Sequence, residues 1–379
     1  MPSNPEQQRE IMRIAITGSR GIPNNYGGFE QCAENLAVLL VKAGHEVTVY
    51  NPDYHEYNQP DYHGVRIVKI GNPEKKIGTA GNFIYDYGCM KHALKEKCDI
   101  LLVLGYTTAS VFFPFLRKGK SILVTNMDGL EWKRDKWNAA IKKLAKWFES
   151  LGAKYSDHLV SDNGEIRNYL LQEYGKDSTF IAYGAEIFDQ PDANILQQYN
   201  IAPGEYDLLI ARLEKENNIE TILDGIVLSG VQKPFLVIGK HQTAYGEFLK
   251  NKYKDHPGIR FMGGIYNLNH LNNIRWYGRY YFHGHSVGGT NPSLLEAMAS
   301  GAYIISHNNL FNRDVLGEHA FYFGNPREVA ALLSKTEDLE AKRKEYIGVQ
   351  TEKIRSQYNW KKIAGEYEEL FKRLLNQHS

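Results

Sequence analysis

Residues 283–301, HGHSVGGTNPSLLEAMASG, follow a short apolar aromatic run and are the most informative part of the sequence about its structure. Asn291 is a favourable N-cap, because its side chain can accept from backbone N–H groups that a helix start leaves unpaired. Pro292 suits the first helical position, and Gly301 suits the left-handed residue just past the helix end. An apolar run at 302–306 follows. The pattern predicts a strand, a glycine loop, a capped helix and a second strand.

A helix start of this kind aims N–H groups and the positive end of the helix dipole at an anion. Glu296 lies four residues beyond Pro292, one turn up the same face. Beside a nucleotide diphosphate, its carboxylate would face a ribose hydroxyl, as acids do in dinucleotide folds. The alternative is an ordinary strand–loop–helix crossover with a capped helix. The candidate donor-binding residues of this run are Gly288, Gly289, Thr290, Asn291, Ser293, Leu294 and Glu296.

The run resembles the donor-site motif of retaining glycosyltransferases of family 4, in which seven residues separate two glutamates. The resemblance matches Glu296 to the second glutamate, which in that family binds the ribose of a sugar nucleotide. Gly288 stands at the position of the first glutamate, which normally touches the transferred sugar. The form HSVGGTNPSLLE is similar to a subgroup associated with rhamnosyl transfer in bacterial surface polysaccharides. The resemblance implies an α/β chain of the glycosyltransferase B (GT-B) fold, with two doubly wound Rossmann-like domains facing a central cleft.

The composition of the chain is that of a globular protein with two domains. It has 379 residues, 42% of them apolar, and a formal net charge of +1. A length of this size favours two cores over one, and a balanced charge gives no general attraction to nucleic acid. No apolar run approaches the roughly 20 residues that a membrane-spanning helix needs.

The cysteines and the start of the chain bear on its location. Cys32, Cys89 and Cys98 have no metal-binding spacing and cannot all pair, which favours a reduced, cytoplasmic protein. The first residues are polar and lack the apolar core of a signal peptide. We expect Met12 to be a functional start, after a disordered tail.

The N-terminal part begins as a βαβ unit. A strand at 13–17 leads into a long loop, and a helix with an apolar face follows from Phe29. The loop lacks the Gly-x-Gly-x-x-Gly spacing of nicotinamide-binding folds. Gly27 and Gly28 would let the backbone approach a ligand closely at the helix start. The resemblance places this loop against the donor diphosphate and the acceptor; the alternative is a long turn.

Strands alternate with helices along the rest of the N-terminal half. Such alternation predicts an open parallel sheet with helices on both faces, and ligands outside the carboxyl ends of its strands. The predicted strands after the first are 45–50, 66–70, 99–104, 121–126, 158–162 and 178–183.

Asp128 directly follows one of these strands, in the run Asn126-Met127-Asp128-Gly129. A charged residue in such a position favours a functional role over packing. In many members of the resembled family a histidine and an aspartate stand here, beside the sugar. Asp128 matches the aspartate, and Met127 replaces the histidine. Asp128 could therefore orient an acceptor hydroxyl or act as its base; the alternative is a turn-forming Asp-Gly pair.

A helix is predicted over 136–154. Its apolar stripe is expected to pack on the sheet, and lysines lie on the opposite side. Basic residues next to tryptophans also favour a second interpretation, contact of residues 132–151 with an anionic membrane surface. A lipid-linked acceptor would explain such a contact. The stripe consists of Trp137, Ile141, Leu144, Phe148 and Leu151.

The second half begins after a hinge region at 184–204, with a strand over 206–212. Arg212 lies at the carboxyl end of this strand, and arginine donates in pairs to phosphate oxygens. In the resembled family an arginine here and a lysine five residues later bind the diphosphate. Arg212 matches the arginine, Asn217 replaces the lysine, and Lys215 is a candidate substitute. The alternative for Arg212 is a surface arginine.

Two further strands, 235–239 and 259–263, precede the opening run. Tyr266 follows the second of them, where the resembled family holds the nucleobase; the alternative is a tight turn. The predicted domains are 12–185, on the acceptor side, and 186–355, which binds the donor. The C-terminal helix, 360–376, is expected to pack back on the first domain.

The residues and the resemblance together predict a retaining glycosyltransferase. The donor is a nucleotide sugar, with L-rhamnose from dTDP-rhamnose as the specific hypothesis. The acceptor is a saccharide or polyprenyl-linked saccharide at the cytoplasmic membrane face. Asp128 and Arg212 are the candidate catalytic residues. No cofactor is expected, and no metal, because the sequence contains no Asp-x-Asp.

Three alternatives belong to other classes. The first is a non-catalytic subunit that binds a sugar nucleotide, which Gly288 and Asn217 favour. The others are a sugar-nucleotide epimerase and an NAD-dependent oxidoreductase on a similar scaffold.

Overall fold

A computed structural model describes residues 11–25, 27–127, 129–134 and 137–378. Most of this chain forms two α/β domains, each built on a mainly parallel sheet. The first sheet has the order β3-β4-β2-β1-β5-β6-β7-β8. Its strands are β1 (Arg13–Thr17), β2 (Glu46–Pro52), β3 (Asp61–Tyr62), β4 (Val65–Ile70), β5 (Ile100–Leu104), β6 (Ile122–Asn126), β7 (His158–Ser161) and β8 (Thr179–Phe180).

Every residue of the central strands β5 and β6 is buried, which shows that both faces of the first sheet are covered. Helices provide this cover, as is usual for parallel sheets. The helices are α1 (Gly28–Lys42), α2 (Glu74–Ile77), α3 (Gly81–Lys95), α4 (Ala139–Tyr155) and α5 (Gly164–Tyr174). Short 3₁₀ segments occupy Gly78–Ala80, Ser110–Phe115 and Glu131–Lys133.

The second sheet has the order β11-β10-β9-β12-β13-β14, and all its pairs are parallel. Its strands are β9 (Asp207–Ile210), β10 (Phe235–Ile238), β11 (Ile259–Gly263), β12 (Tyr281–His283), β13 (Ile304–His307) and β14 (Phe321–Phe323). The strand order reverses between β9 and β12, and a crevice for ligands opens at the carboxyl ends of strands at such a point.

The remaining helices flank the second sheet or return to the first. They are α6 (Ile219–Ser229), α7 (Ala244–Lys252), α8 (Leu268–Tyr277), α9 (Pro292–Ala299), α10 (Leu310–Leu316), α11 (Pro326–Leu333), α12 (Thr336–Ser356) and α13 (Trp360–His378). Helix α13 lies against the first domain: the Tyr367 hydroxyl accepts from the Asn126 amide at 3.3 Å, and Glu368 is 3.2 Å from His45. The chain thus forms two Rossmann-like domains, as the sequence predicts.

The structure corrects one detail of helix α4. Of the predicted stripe, Phe148 is buried, but Ile141 and Leu144 are exposed, so the stripe does not pack on the sheet as a whole. The reason is that α4 buries a different face, in which small residues allow the helix to approach its neighbouring elements closely. Its buried face consists of Ala145, Phe148, Glu149, Gly152 and Ala153.

Candidate functional site

The loop before α9 and the start of that helix have the predicted local structure. The Asn291 Oδ1 accepts the N–H of Ser293 at 3.0 Å, and Pro292 is the first helical residue. Gly301 adopts φ +63°, which only glycine enters at little cost. The run therefore delivers the start of α9 to the carboxyl end of the second sheet.

Helix α1 of the first domain meets α9 at this point. A Cβ atom on Gly28 would lie 3.1 Å from the Pro292 Cγ, so the two helix starts nearly touch. Gly27 is the extended residue just before α1, with φ −173°. Gly28 thus allows two helix N-termini from opposite domains to approach closely at one cleft.

Glu296 lies at the junction of the two domains and not in a core. Its side chain is 20% exposed, and its Oε2 accepts from the Arg275 Nη2 at 2.6 Å. The Nε2 of Gln31, on α1, donates to the Oε1 at 3.0 Å. A carboxylate held from one side by a buried arginine and reached from the other by an amide can accept further hydrogen bonds from a ligand.

Sequence reasoning missed both partners of Glu296. Arg275 is only 1% exposed, on α8, and its Nη1 also donates to the Asn272 Oδ1 at 3.1 Å. A charged residue that is fully buried is rare without a paired group. Its apolar neighbours in sequence, Ile274 and Trp276, were the only signal that could have marked it.

The loop at Gly288–Thr290 contacts an acidic residue of the first domain. The Thr290 N–H donates to the Asp162 Oδ2 at 3.0 Å, and its hydroxyl donates to the Asp162 carbonyl oxygen. A Cβ on Gly289 would lie 1.9 Å from the Asp162 Oδ1, so only glycine fits there. The Thr290 amide, which was predicted to face a phosphate, therefore donates to a carboxylate in this structure. From the sequence, Asp162 was predicted only as the last residue of a strand.

Gly288 faces open space. Its φ is +128°, and a Cβ there would meet nothing within 4 Å. Across that space, Gly129 of the first domain comes close: a Cβ on it would lie 3.4 Å from the Gly288 Cα. The candidate Asp128 lies outside the described residues, between Gly129 and the buried Met127.

Arg212 is exposed after β9, and its Nη2 is 3.7 Å from the Glu214 Oε2. Asn217, which stands where the resembled family has a lysine, is buried and donates to the Arg212 carbonyl at 2.7 Å. Asn217 thus fixes the loop and does not extend into the cleft. Lys215 is exposed on the same loop.

A third basic residue reaches this loop from the first domain. The Arg134 Nη1 lies 3.9 Å from a carboxylate oxygen of Glu214 and 3.9 Å from one of Glu216. Burial raises the pKa of Glu216, and the neighbouring Glu214 raises it further, while Arg134 lowers it. The cleft wall after β9 therefore combines two arginines with two carboxylates, a pattern that motif spacing did not reveal.

His283, the last residue of β12, and His285, just after it, stack on each other with ring centroids 4.5 Å apart. Burial lowers the pKa of His285 to about 3, and the nearby charges of Arg212 and Arg134 lower it further. Burial also lowers the pKa of His283. Both rings are neutral at physiological pH, so they can donate and accept hydrogen bonds without adding charge.

Tyr266 lies apart from this cluster. Its side chain is 79% exposed after the edge strand β11, and the ring lies over Gly264, where a Cβ would be 2.7 Å from the tyrosine hydroxyl. Of the other described candidates, Gly27 and Gly28 lie at the start of α1, and those of the second domain lie after β9 or between β12 and the first turns of α9. In the parts of the chain that the structure describes, no group of His, Cys, Asp and Glu has the arrangement of a metal site, and no helix could cross a membrane.

Comparisons with known proteins bear on the fold. A family model described as a domain of unknown function (DUF1972) matches residues 11–186. No curated protein matches the sequence significantly. Among solved structures, sucrose-phosphate synthase from Thermosynechococcus elongatus has a TM-score of 0.78 at 14% identity, covering 97% of this chain and 100% of that chain.

Two further solved structures are similar. Anabaena HepE in complex with UDP and glucose has a TM-score of 0.74 at 14% identity, covering 96% of this chain and 100% of that one. WaaG, a glycosyltransferase involved in lipopolysaccharide biosynthesis, has a TM-score of 0.69 at 13% identity, covering 94% and 99%. These neighbours are GT-B glycosyltransferases, and the predicted fold, two Rossmann-like domains in the GT-B arrangement, is confirmed.

Proposed function

We propose that the protein is a retaining glycosyltransferase that binds a nucleotide sugar between its two domains. The observation that supports this most directly is the position of Glu296, one turn into α9 and within reach of Gln31 across the cleft. An acid at that place can accept from ribose hydroxyls while the amides at the start of α9 face a diphosphate. The HepE complex with UDP and glucose supports a donor of this class for the fold.

The proposed donor is dTDP-L-rhamnose, on the resemblance of residues 285–296 to the rhamnosyltransferase form of the motif. The space beside Gly288 is open, so a sugar could bind there without a contact to an acidic side chain at this position. Tyr266 is exposed near the end of β11, where a nucleobase could cover its ring.

In the proposed reaction, the bond between the sugar C1 and the diphosphate oxygen breaks, and the acceptor oxygen bonds to C1 on the same face. The acceptor proton passes to the departing phosphate oxygen, which balances the step without an enzymic nucleophile at Gly288. Arg212, Lys215 and the amides of Gly289 and Thr290 would neutralise the leaving group. Asp128 would orient the acceptor hydroxyl.

Donor binding requires an exchange of partners at this site. The Thr290 N–H, which now donates to Asp162, would donate to a phosphate oxygen instead. We further propose that the step needs no metal, since the sequence has no Asp-x-Asp to bind one beside a diphosphate. The acceptor would be a saccharide or polyprenyl-linked saccharide in bacterial surface-polysaccharide synthesis, at the cytoplasmic membrane face.

A thermal-shift panel tests the donor class. Purified protein is heated with dTDP-rhamnose, UDP-glucose and other nucleotide sugars, and dTDP-rhamnose is expected to raise Tm the most. The Glu296→Ala variant should lose this shift, whereas Glu318→Ala, at an exposed acid of the same domain, should keep it. The absence of a shift with every nucleotide sugar would contradict the proposal. Proton NMR of the product's anomeric centre then tests retention.

A non-catalytic sugar-nucleotide-binding subunit is the second candidate. Asn217 favours it, because this residue replaces a phosphate-binding lysine with a side chain that holds the Arg212 carbonyl. Turnover would release free dTDP when membrane extracts are supplied as acceptor. A protein that binds dTDP-rhamnose but releases no dTDP in this assay would support the alternative.

A further inference from the structure

Three neighbouring elements of the first domain expose apolar side chains on their outer side. Helices α3 and α4 are joined through Phe83 and Phe148, whose rings lie 5.5 Å apart. The 3₁₀ segment Ser110–Phe115 connects to both: Phe112 is 4.9 Å from Tyr87 on α3, and the Ser110 hydroxyl donates to the Phe148 carbonyl at 2.7 Å. The three elements therefore form one continuous surface.

This surface is apolar where its residues point to solvent. Phe115 is 79% exposed, Trp147 is 50% exposed and Leu144 is 46% exposed. Large apolar groups that cluster on the outside of a protein mark an interaction site, whereas single ones need no explanation. We define the apolar face as Ile84, Tyr87, Phe115, Ile141, Leu144 and Trp147.

The exposed charges of the three elements that carry the apolar face have one sign. Within the described residues 81–95, 110–127 and 137–155, the carboxylates are Asp86 and Glu149, and both are buried. Glu149 accepts from five other side chains, among them Tyr174 at 2.6 Å and Trp132 at 3.1 Å. The exposed charges of these segments are therefore basic: Lys91, Lys95, Arg117, Lys120, Lys143 and Lys154.

We infer that the apolar face and its basic rim bind the surface of a membrane that contains anionic lipids. Apolar side chains, tryptophan among them, would enter the boundary between headgroups and acyl chains, while lysine and arginine pair with lipid phosphates. A protein partner would need acidic groups around an apolar centre, but a second copy of this chain would bring basic residues against basic residues. The charge pattern thus favours lipid over self-association.

The position of the face in the fold fits this role. Helix α4 follows the loop that includes Gly129 and Trp132, and Gly129 borders the cleft opposite Gly288. The Trp132 Nε1 donates to Glu149 on α4, so the loop is fixed to the helix that would lie on the membrane. A lipid-linked acceptor would then reach the cleft from the bilayer without a long extension into water.

Vesicle flotation of the full chain, without donor or acceptor, tests the inference. Phosphatidylcholine vesicles that contain phosphatidylglycerol should bind the protein at low salt, and high salt should weaken binding, since lipid charges are screened. The variant Leu144→Glu/Trp147→Glu should bind at least about tenfold more weakly, because two partly inserted apolar groups are lost. Arg117→Glu/Lys120→Glu should lose about tenfold or more on anionic vesicles only.

Leu228→Glu is the matched control. Leu228 is 59% exposed on the second domain, beside the carboxylate of Asp224, and this variant should bind like the wild type. The inference is overturned if the wild type does not float with anionic vesicles, or if Leu228→Glu loses as much binding as the double variant. It is also overturned if sedimentation shows that the wild type is a dimer and that the Leu144→Glu/Trp147→Glu variant is a monomer. Because no sugar nucleotide is present, failure here is distinct from failure of the proposed activity.

Discussion

Replacement of Arg275 by methionine should destabilise the protein through Glu296. The arginine is 1% exposed, and its Nη2 lies 2.6 Å from the Glu296 Oε2. Methionine has a similar reach but no charge, so the carboxylate would stay at the domain junction without its counter-charge. Removal of one partner of a buried ion pair costs about 3–5 kcal/mol.

The lower end of that range applies here, because Glu296 remains 20% exposed and water can solvate part of its charge. We therefore expect a loss of about 3 kcal/mol, or about 9 °C in Tm for a domain of this size. Differential scanning fluorimetry of the free protein measures the shift. Glu296→Gln alone should cost a similar amount, since it leaves the Arg275 charge buried and unpaired.

The double variant Arg275→Met/Glu296→Gln decides whether the pair itself is responsible. With both charges gone, its destabilisation should fall about 2–3 kcal/mol short of the sum of the two single effects. If the two effects add, or if Arg275→Met lowers stability by less than about 1 kcal/mol, the reasoning about this ion pair is wrong.

Other perturbations test contacts at the cleft and a buried carboxylate of the first domain. Gly289→Ala places a methyl group against Asp162 and should cost about 1–3 kcal/mol, whereas Gly348→Ala, in an open helical position, should stabilise by about 1 kcal/mol; thermal unfolding compares them. Burial raises the pKa of Asp86 to about 6, from 3.8, so its contribution to stability is present below pH 3.8 and is lost as pH rises through 6. Asp86→Asn should therefore gain about 3 kcal/mol relative to wild type between pH 4 and 8 in urea titrations. Gln31→Ala should cost about 1 kcal/mol, measured by the same unfolding assay.

The fold could be predicted well from local patterns because its elements are locally determined. The caps at Asn291 and Gly301 fix α9, and the alternation of apolar runs with helical periods predicts the strands of both sheets. Most strand ends shifted by at most two residues, since hydrogen-bond pairing with neighbours decides where a strand stops. The strand predicted at 178–183 is shorter, with only Thr179–Phe180 paired. The short strands Asp61–Tyr62 and Phe321–Phe323 were missed, because so few residues give no clear period.

The site was less predictable because its decisive contacts join distant parts of the chain. Thr290 and Asp162 are 128 residues apart, and Gln31 and Glu296 are 265 apart. Motif spacing can indicate which residues face an anion, but it cannot show which side chain of the opposite domain arrives there. The same limit applies to Ile141, whose exposure depends on which face of α4 fits closely against its neighbours.

The contacts across the cleft use groups that a bound donor would also need. The Thr290 N–H faces the Asp162 carboxylate where a phosphate oxygen would bind, and the Gln31 amide donates to Glu296 where a ribose hydroxyl would. Each pair has the charge or polarity of the ligand contact that it replaces. Closure of the two domains without donor and closure around donor therefore compete for the same atoms. It follows that the affinity for donor depends on the strength of these internal contacts as well as on the contacts to the sugar nucleotide itself.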